Sequence, residues 1–154
     1  MILSWEQAAF LSEDMRNQGK IVVFTNGCFD IIHPGHIHLL KSARSLGDVL
    51  LVGLNTDDSI RRLKGPGRPI NPLEARAEVL SAIRHVNHVI PFSEDTPLEL
   101  IKALKPDILV KGGDWREDEI VGAELVKSRG GRVIVVPYLE GYSTTGILRK
   151  LGLE

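Results

Sequence analysis

The run Ile21–Leu46, IVVFTNGCFDIIHPGHIHLLKSARSL, constrains this chain more than any other stretch. Ile21 to Phe24 is apolar and β-branched, the composition of a strand buried on both faces. Asn26-Gly27 is expected to break that strand. From Pro34 the apolar period becomes helical, with Ile37, Leu40 and Ala43 on one stripe and Leu39 beside it. Proline forfeits no hydrogen bond in the first turn, so the helix is placed from Pro34. Strand, glycine-containing loop and helix follow in that order, and His33 and His36 fall at the helix N-terminus.

A helix start exposes unpaired N–H groups and the positive end of the macrodipole, and both attract phosphate. His33 and His36 lie on the same side of the first turn. Gly35 between them lets an anion approach the backbone. The structural alternative is that His33 only caps the helix and His36 only packs inward. The position directly after a buried strand favours the anion site.

The remaining chain alternates strands with helices. Ser4 caps a helix from Trp5 to about Asn17, Gln7 completes a capping box, and Phe10, Leu11 and Met15 are its expected buried side. Val49 to Leu54 is a second buried strand, with Asn55, Thr56, Asp57 and Asp58 at its carboxyl end, where ligands sit in open α/β sheets. Thr56 caps a short helix, Asp57 to Leu63. Lys64-Gly65-Pro66-Gly67-Arg68-Pro69 is a loop flanked by two cations. Asn71 or Pro72 opens a helix with Leu73, Ala77, Leu80 and Ile83 on its apolar face.

His88 to Pro91 is a third strand, and Thr96, as cap to Pro97, starts a helix to about Leu104. Ile108 to Val110 is a fourth strand that ends in Lys111-Gly112-Gly113-Asp114-Trp115. A helix from Glu117 to about Ser128 and a fifth strand, Arg132 to Val136, follow. Ser143-Thr144-Thr145 then supplies hydroxyls at the start of a C-terminal helix. This alternation predicts one α/β domain over residues 1–154, with a parallel sheet covered on both faces.

Charge and composition exclude several function classes. The formal net charge is −1 with both signs interspersed, so no nucleic-acid footprint is expected. Cys28 is the only cysteine, which rules out an internal disulfide and points to a reducing compartment. No apolar segment approaches the roughly 18 to 20 residues of a membrane span. The N-terminus lacks the zones of a signal peptide, so a soluble cytoplasmic protein without a membrane partner is expected. His85 and His88 have no metal-ligand spacing with other His or Cys, and no protein metal site is assigned.

Asn26-Gly27-Cys28-Phe29-Asp30 followed by His33-Pro34-Gly35-His36 resembles the cytidylyltransferase-like branch of the nucleotidyltransferase superfamily. Members join a phosphate monoester to the α-phosphate of a nucleoside triphosphate and release pyrophosphate. The resemblance runs from about Lys20 to Leu151 and implies a Rossmann-like five-stranded parallel sheet of order 3-2-1-4-5. It implies catalytic roles for His33, His36 and Lys64. It implies nucleotide contacts from Phe29, Gly35, Lys111, Gly112, Gly113, Asp114, Ser143, Thr144 and Thr145. Asn26, Gly27, Asp30, Asn55, Asp57, Arg68 and Arg76 are the implied acceptor-side residues.

Lys111-Gly112-Gly113-Asp114 with an aromatic after it, plus Arg68-Pro69-Ile70-Asn71-Pro72-Leu73-Glu74, looks most like the branch that adenylates a heptose 1-phosphate. That branch implies ATP with Mg²⁺ and a sugar 1-phosphate; relatives are often dimers, so a homodimer is expected. The 154 residues hold no kinase-sized segment, so a stand-alone form is expected. Two alternatives stay open, a glycerol 3-phosphate cytidylyltransferase-type enzyme using CTP and a nucleotide-binding module without turnover. Against the first, that branch's Arg-Thr-Glu-Gly falls on Tyr138-Leu139-Glu140-Gly141, without the arginine. In its favour, Trp115 stands where heptose enzymes often have tyrosine.

Overall fold

The computed structural model describes residues 1–154. Its strands are β1 (Val22–Gly27), β2 (Val49–Asn55), β3 (His88–Phe92), β4 (Ile108–Gly112) and β5 (Arg132–Val136). All pair in parallel, in the order β3-β2-β1-β4-β5 that the resemblance implied. The helices are α1 (Trp5–Asn17), α2 (Pro34–Arg44), α3 (Asp57–Lys64), α4 (Leu73–Ser81), α5 (Leu98–Leu104), α6 (Ala123–Ser128) and α7 (Thr144–Lys150). No helix is long and apolar enough to cross a membrane.

Successive strand residues face opposite sides of the sheet, so its apolar strands feed two cores. Val22, Phe24 and Leu51 pack with Ala8 of α1, Leu100 and Ile101 of α5 and Val126 of α6. Val23, Leu50, Val52 and Val110 pack on the other face with Leu40 of α2 and Leu80 of α4. Helices therefore cover both faces, and the switch in strand order lies between β1 and β4, where a crevice opens at the carboxyl ends.

The glycines expected to lie beyond the strands are instead their last paired residues. β1 continues through Asn26 and Gly27, which pair with Gly53 and Leu54 of β2. β4 likewise continues through Lys111 and Gly112, which pair with Val135 and Val136 of β5. Neighbours on the sheet supply partners for the glycine backbone, and this outweighs glycine's weak strand propensity. The turn after β1 falls instead at Cys28–Asp30, where Phe29 takes a positive φ of 44°. Residues expected on loops are consequently held on strand ends.

Four other expectations fail for local reasons. Phe10 is 74% exposed, because the buried stripe of α1 runs through Trp5, Ala8, Leu11, Ser12 and Met15. The segment Glu117–Ser128 is a 3₁₀ turn, Glu117–Glu119, followed by α6. Ile120 drops into the core in an extended conformation and Gly122 reverses the chain at φ 87°, which interrupts the helix. α5 starts at Leu98 because Pro97 has a ψ of 9°; the Thr96 hydroxyl accepts only a 3.4 Å hydrogen bond from the Leu98 N–H. α4 starts at Leu73, one residue past Pro72.

Burial separates the two phenylalanines energetically. Phe10→Ser should shift the urea unfolding free energy by less than about 0.5 kcal/mol. Phe24→Ala, which empties a fully buried position, should cost about 3–5 kcal/mol in the same measurement.

Candidate active site

The N-terminus of α2 is built by its two histidines. The Gly35 N–H donates to His33 Nδ1 at 3.1 Å, and the His33 N–H donates to His36 Nδ1 at 3.2 Å. Each imidazole thus satisfies one orphan backbone donor of the helix start. A neutral imidazole that accepts at Nδ1 carries its proton on Nε2, so both rings keep one N–H to donate elsewhere. The rings lie against each other, tilted by 32°, with centroids 3.8 Å apart. Capping and ligand binding are therefore compatible, since they use opposite ring nitrogens. A side chain at residue 35 would collide with the His33 ring at 2.8 Å, which is why this turn requires glycine.

Burial keeps the pair neutral. It pushes His36 down to about 4, assisted by the neighbouring His33 and opposed by Asp30. Burial also lowers His33 from its ordinary value. Phe29 adds to this dry wall, with its ring centroid 5.3 Å from that of His36.

Two cavities meet above these residues. One, of about 510 Å³, runs along His33, Gly35 and His36 to Gly112, Gly113 and Ser143–Thr145. The other, of about 480 Å³, is lined by Gly27, Phe29, Asp30, Asn55, Arg68 and Trp115, among others. Asn26, His36, Lys64, Lys111 and Thr144 line both and form the partition. A larger and shallower depression of about 930 Å³ lies elsewhere, between α5 and α6, and lacks this convergence of donors.

The second cavity owes its shape to two buried charges. Both oxygens of Asp30 are occupied, accepting from the Ile70 N–H at 2.6 Å and the Asn71 N–H at 2.9 Å. This fastens the Lys64–Asn71 loop to the turn after β1. Arg76 is 1% exposed and donates to the carbonyls of Cys28, Asn55 and Asn71 and, at 2.6 Å, to Asp57. Its guanidinium is spent on protein acceptors, and Asp57 is spent on Arg76. Arg68 is different: it is 7% exposed, 3.8 Å from both Asp30 and Glu154, and its Nε has no hydrogen-bond partner.

Of the residues singled out in the sequence, Asp114 alone lines neither cavity apart from the Arg76–Asp57 pair; it is exposed. Asn55 lines the second cavity, with its amide held by the Ser59 hydroxyl at 3.0 Å. Gly113 has a φ of 115°, and the Tyr138 ring lies where its Cβ would be. Tyr138 and Tyr142, the latter parallel to His33 with centroids 6.5 Å apart, were not among the residues identified from the sequence. Only their places on the loop before Ser143 would have signalled them. Cys28 lines the second cavity, but burial raises its thiol despite the cations around it, so it stays protonated.

Residues 24–150 match the family model described as cytidylyltransferase-like, and the chain belongs to that family. Among curated relatives, it is 58% identical over 144 residues to the bifunctional protein HldE of Gluconobacter oxydans (strain 621H), a match covering 94% of this chain and 30% of that protein. It is 53% identical over 150 residues to the bifunctional protein HldE of Alcanivorax borkumensis, covering 97% of this chain and 32% of that protein. The chain thus spans about a third of the length of these relatives. A solved lipopolysaccharide core biosynthesis protein from Thermoplasma volcanium GSS1 is 34% identical with a TM-score of 0.63, covering 81% of this chain and all of that one. Pantoate-beta-alanine ligase from Francisella tularensis, 20% identical with a TM-score of 0.65, shares the fold over 89% of this chain and 66% of its own.

Two measurements probe this construction. Unfolded, the His36 imidazole takes up a proton near pH 6.5, whereas the folded one waits until about pH 4. Acid therefore favours the unfolded chain across that interval, and stability rises with pH through it. The urea midpoint should fall between pH 7 and pH 4.5, and the His36→Gln variant should show a smaller fall. Arg76→Met leaves a carboxylate and three carbonyls without their donor and should cost about 3–5 kcal/mol in urea unfolding.

Proposed function

We propose that the chain transfers AMP from ATP to D-glycero-D-manno-heptose 1-phosphate, giving ADP-heptose and pyrophosphate for a surface-glycan precursor. The observation that carries this reading is the pair of cavities meeting at a partition of donors, Asn26, His36, Lys64, Lys111 and Thr144. A transfer between two phosphates needs two anion sites that share one boundary. The HldE relatives and the lipopolysaccharide core biosynthesis structure favour a heptose acceptor over glycerol 3-phosphate.

In this reading the nucleotide occupies the cavity of His33, Gly112 and Ser143–Thr145, and the sugar phosphate occupies that of Arg68. A phosphate oxygen of the sugar forms a bond to the α-phosphorus as the bond to the bridging oxygen breaks. The electron pair leaves with pyrophosphate. No proton transfer is required, so the chain's task is alignment and charge stabilisation. The Nε2–H groups of His33 and His36 donate to phosphate oxygens as charge moves toward the leaving group. Lys64 and Arg68, whose Nε has no hydrogen-bond partner, hold the acceptor phosphate.

Asp30, Asp57 and Arg76 act indirectly, by holding the loop and strand ends that shape the acceptor cavity. Magnesium enters as part of the substrate, on the triphosphate, where it neutralises the β- and γ-oxygens. No group of three or more His, Cys, Asp or Glu in the chain could hold a metal ion. Cys28 takes no part.

Pyrophosphate release should appear with ATP and D-glycero-D-manno-heptose 1-phosphate, and should stay at background with CTP and glycerol 3-phosphate. The reverse pattern would assign the other branch; binding without release would assign a non-catalytic module. His36→Ala should lower kcat by ~10²–10³ with little change in ATP affinity, because it removes a donor used mainly in the transition state. Cys28→Ser should retain turnover, and an inactive, folded variant would contradict direct displacement.

A further inference from the structure

Lys111 sits at the carboxyl end of β4 and is one of the few side chains that line both cavities. The resemblance places its segment against the nucleobase, through backbone groups, and leaves the ammonium without a task. None of the ion pairs in the molecule includes it. Its only close partner is the ring of Trp115, whose centroid is 5.0 Å from Nζ. Burial lowers the ammonium from its ordinary value, partly offset by Cys28.

A half-buried cation without a carboxylate is costly, and an aromatic face returns only part of that cost. An arriving anion would supply the rest. Trp115 belongs to the acceptor cavity alone and is 41% exposed. The ring therefore covers the ammonium from the acceptor side, while Lys111 as a residue lines both cavities. β4 fixes the base of the side chain: Lys111 pairs with Val135, and the turn after it is set by Gly113.

We propose that the Lys111 ammonium is a catalytic residue that contacts both the α-phosphate of the nucleotide and the phosphate of the acceptor, and that Trp115 is the positioning residue that holds it between them. Two anions of like charge repel most strongly at the point of attack, and one cation shared between them offsets that repulsion where it is largest. Lys64 is exposed at the C-terminal end of α3 and His36 is neutral, so neither supplies a buried charge at that point. This assignment rests on the two-cavity reading above, and the test separates the two.

ATP and inorganic phosphate, the latter standing in for the acceptor's phosphate, are titrated separately by calorimetry into the unaltered chain and into Lys111→Met. Each should bind about tenfold more weakly to the variant. With ATP and D-glycero-D-manno-heptose 1-phosphate, Lys111→Met should lower kcat about 10²-fold and Lys111→Arg should recover at least tenfold of that. Trp115→Leu should cost about tenfold in kcat in the unaltered chain and nothing further in the Lys111→Met background, while Trp115→Phe recovers most of the loss. Weaker binding of both anions without any turnover of the heptose phosphate supports the role of Lys111 and overturns the acceptor. Unchanged binding of either anion, or additive losses from Trp115→Leu and Lys111→Met, overturns the assignment whatever the acceptor proves to be. If Lys111→Met folds poorly, Lys111→Gln carries the same comparison.

Discussion

The site depends first on one buried guanidinium. Arg76 bonds the carbonyls that end the turn after β1, the strand β2 and the segment before α4, and it pairs with the first residue of α3. Four pieces of chain that contribute to one cavity are thereby set against each other by a single planar group. A fully buried charge is tolerated because every direction of its donor fork meets an acceptor. Asp30 repeats the device with opposite sign, using both oxygens to hold the loop that carries Arg68. The Asp30 carboxylate and the Arg76 guanidinium are thus largely consumed in building the second cavity.

What remains free at the partition between the two cavities is rich in donors. The chain as a whole carries a formal charge of −1, yet the partition presents Lys64, Lys111 and the Nε2–H of His36 with no carboxylate paired to them. Glu117 and Asp118 lie exposed outside both cavities, while Asp95, Glu119 and Glu140 lie on their linings away from the partition. Global neutrality and a cationic partition coexist because the sheet gathers residues that are distant in sequence. Burial sharpens the effect. It removes water that would screen Lys111, and it keeps the imidazoles uncharged donors, so an anion meets hydrogen bonds and charge together.

Much of this was legible from the sequence, for physical reasons that differ by element. The strand order followed from the family resemblance, and the two-faced sheet from continuous apolar runs. The histidine pair was legible because proline and glycine mark a helix start unambiguously. The strand ends at Asn26-Gly27 and Lys111-Gly112 were misread because pairing partners on neighbouring strands are invisible locally. Phe10 was misplaced because hydrophobicity was weighed over period. The break at Gly122 was missed because Ile120 is drawn into a core that only the tertiary structure defines. Asp30 and Arg76 look like ligand residues in one dimension; only their occupied hydrogen bonds show that they hold backbone.

The histidines resolve what first looked like a choice between structure and chemistry. A helix N-terminus needs acceptors for its own N–H groups, and an anion site needs donors. Serine or aspartate caps satisfy the first need while adding oxygen acceptors near the incoming phosphate. Imidazole satisfies the first with Nδ1 and presents Nε2–H for the second, so one ring serves both without adding negative charge. The bonds from the Gly35 N–H to His33 Nδ1 and from the His33 N–H to His36 Nδ1 fix both tautomers before any ligand arrives. That preorganisation is what a phosphoryl-transfer site requires, because donors already oriented need not reorganise as charge moves. The capping bonds are therefore the step by which local helix chemistry becomes function.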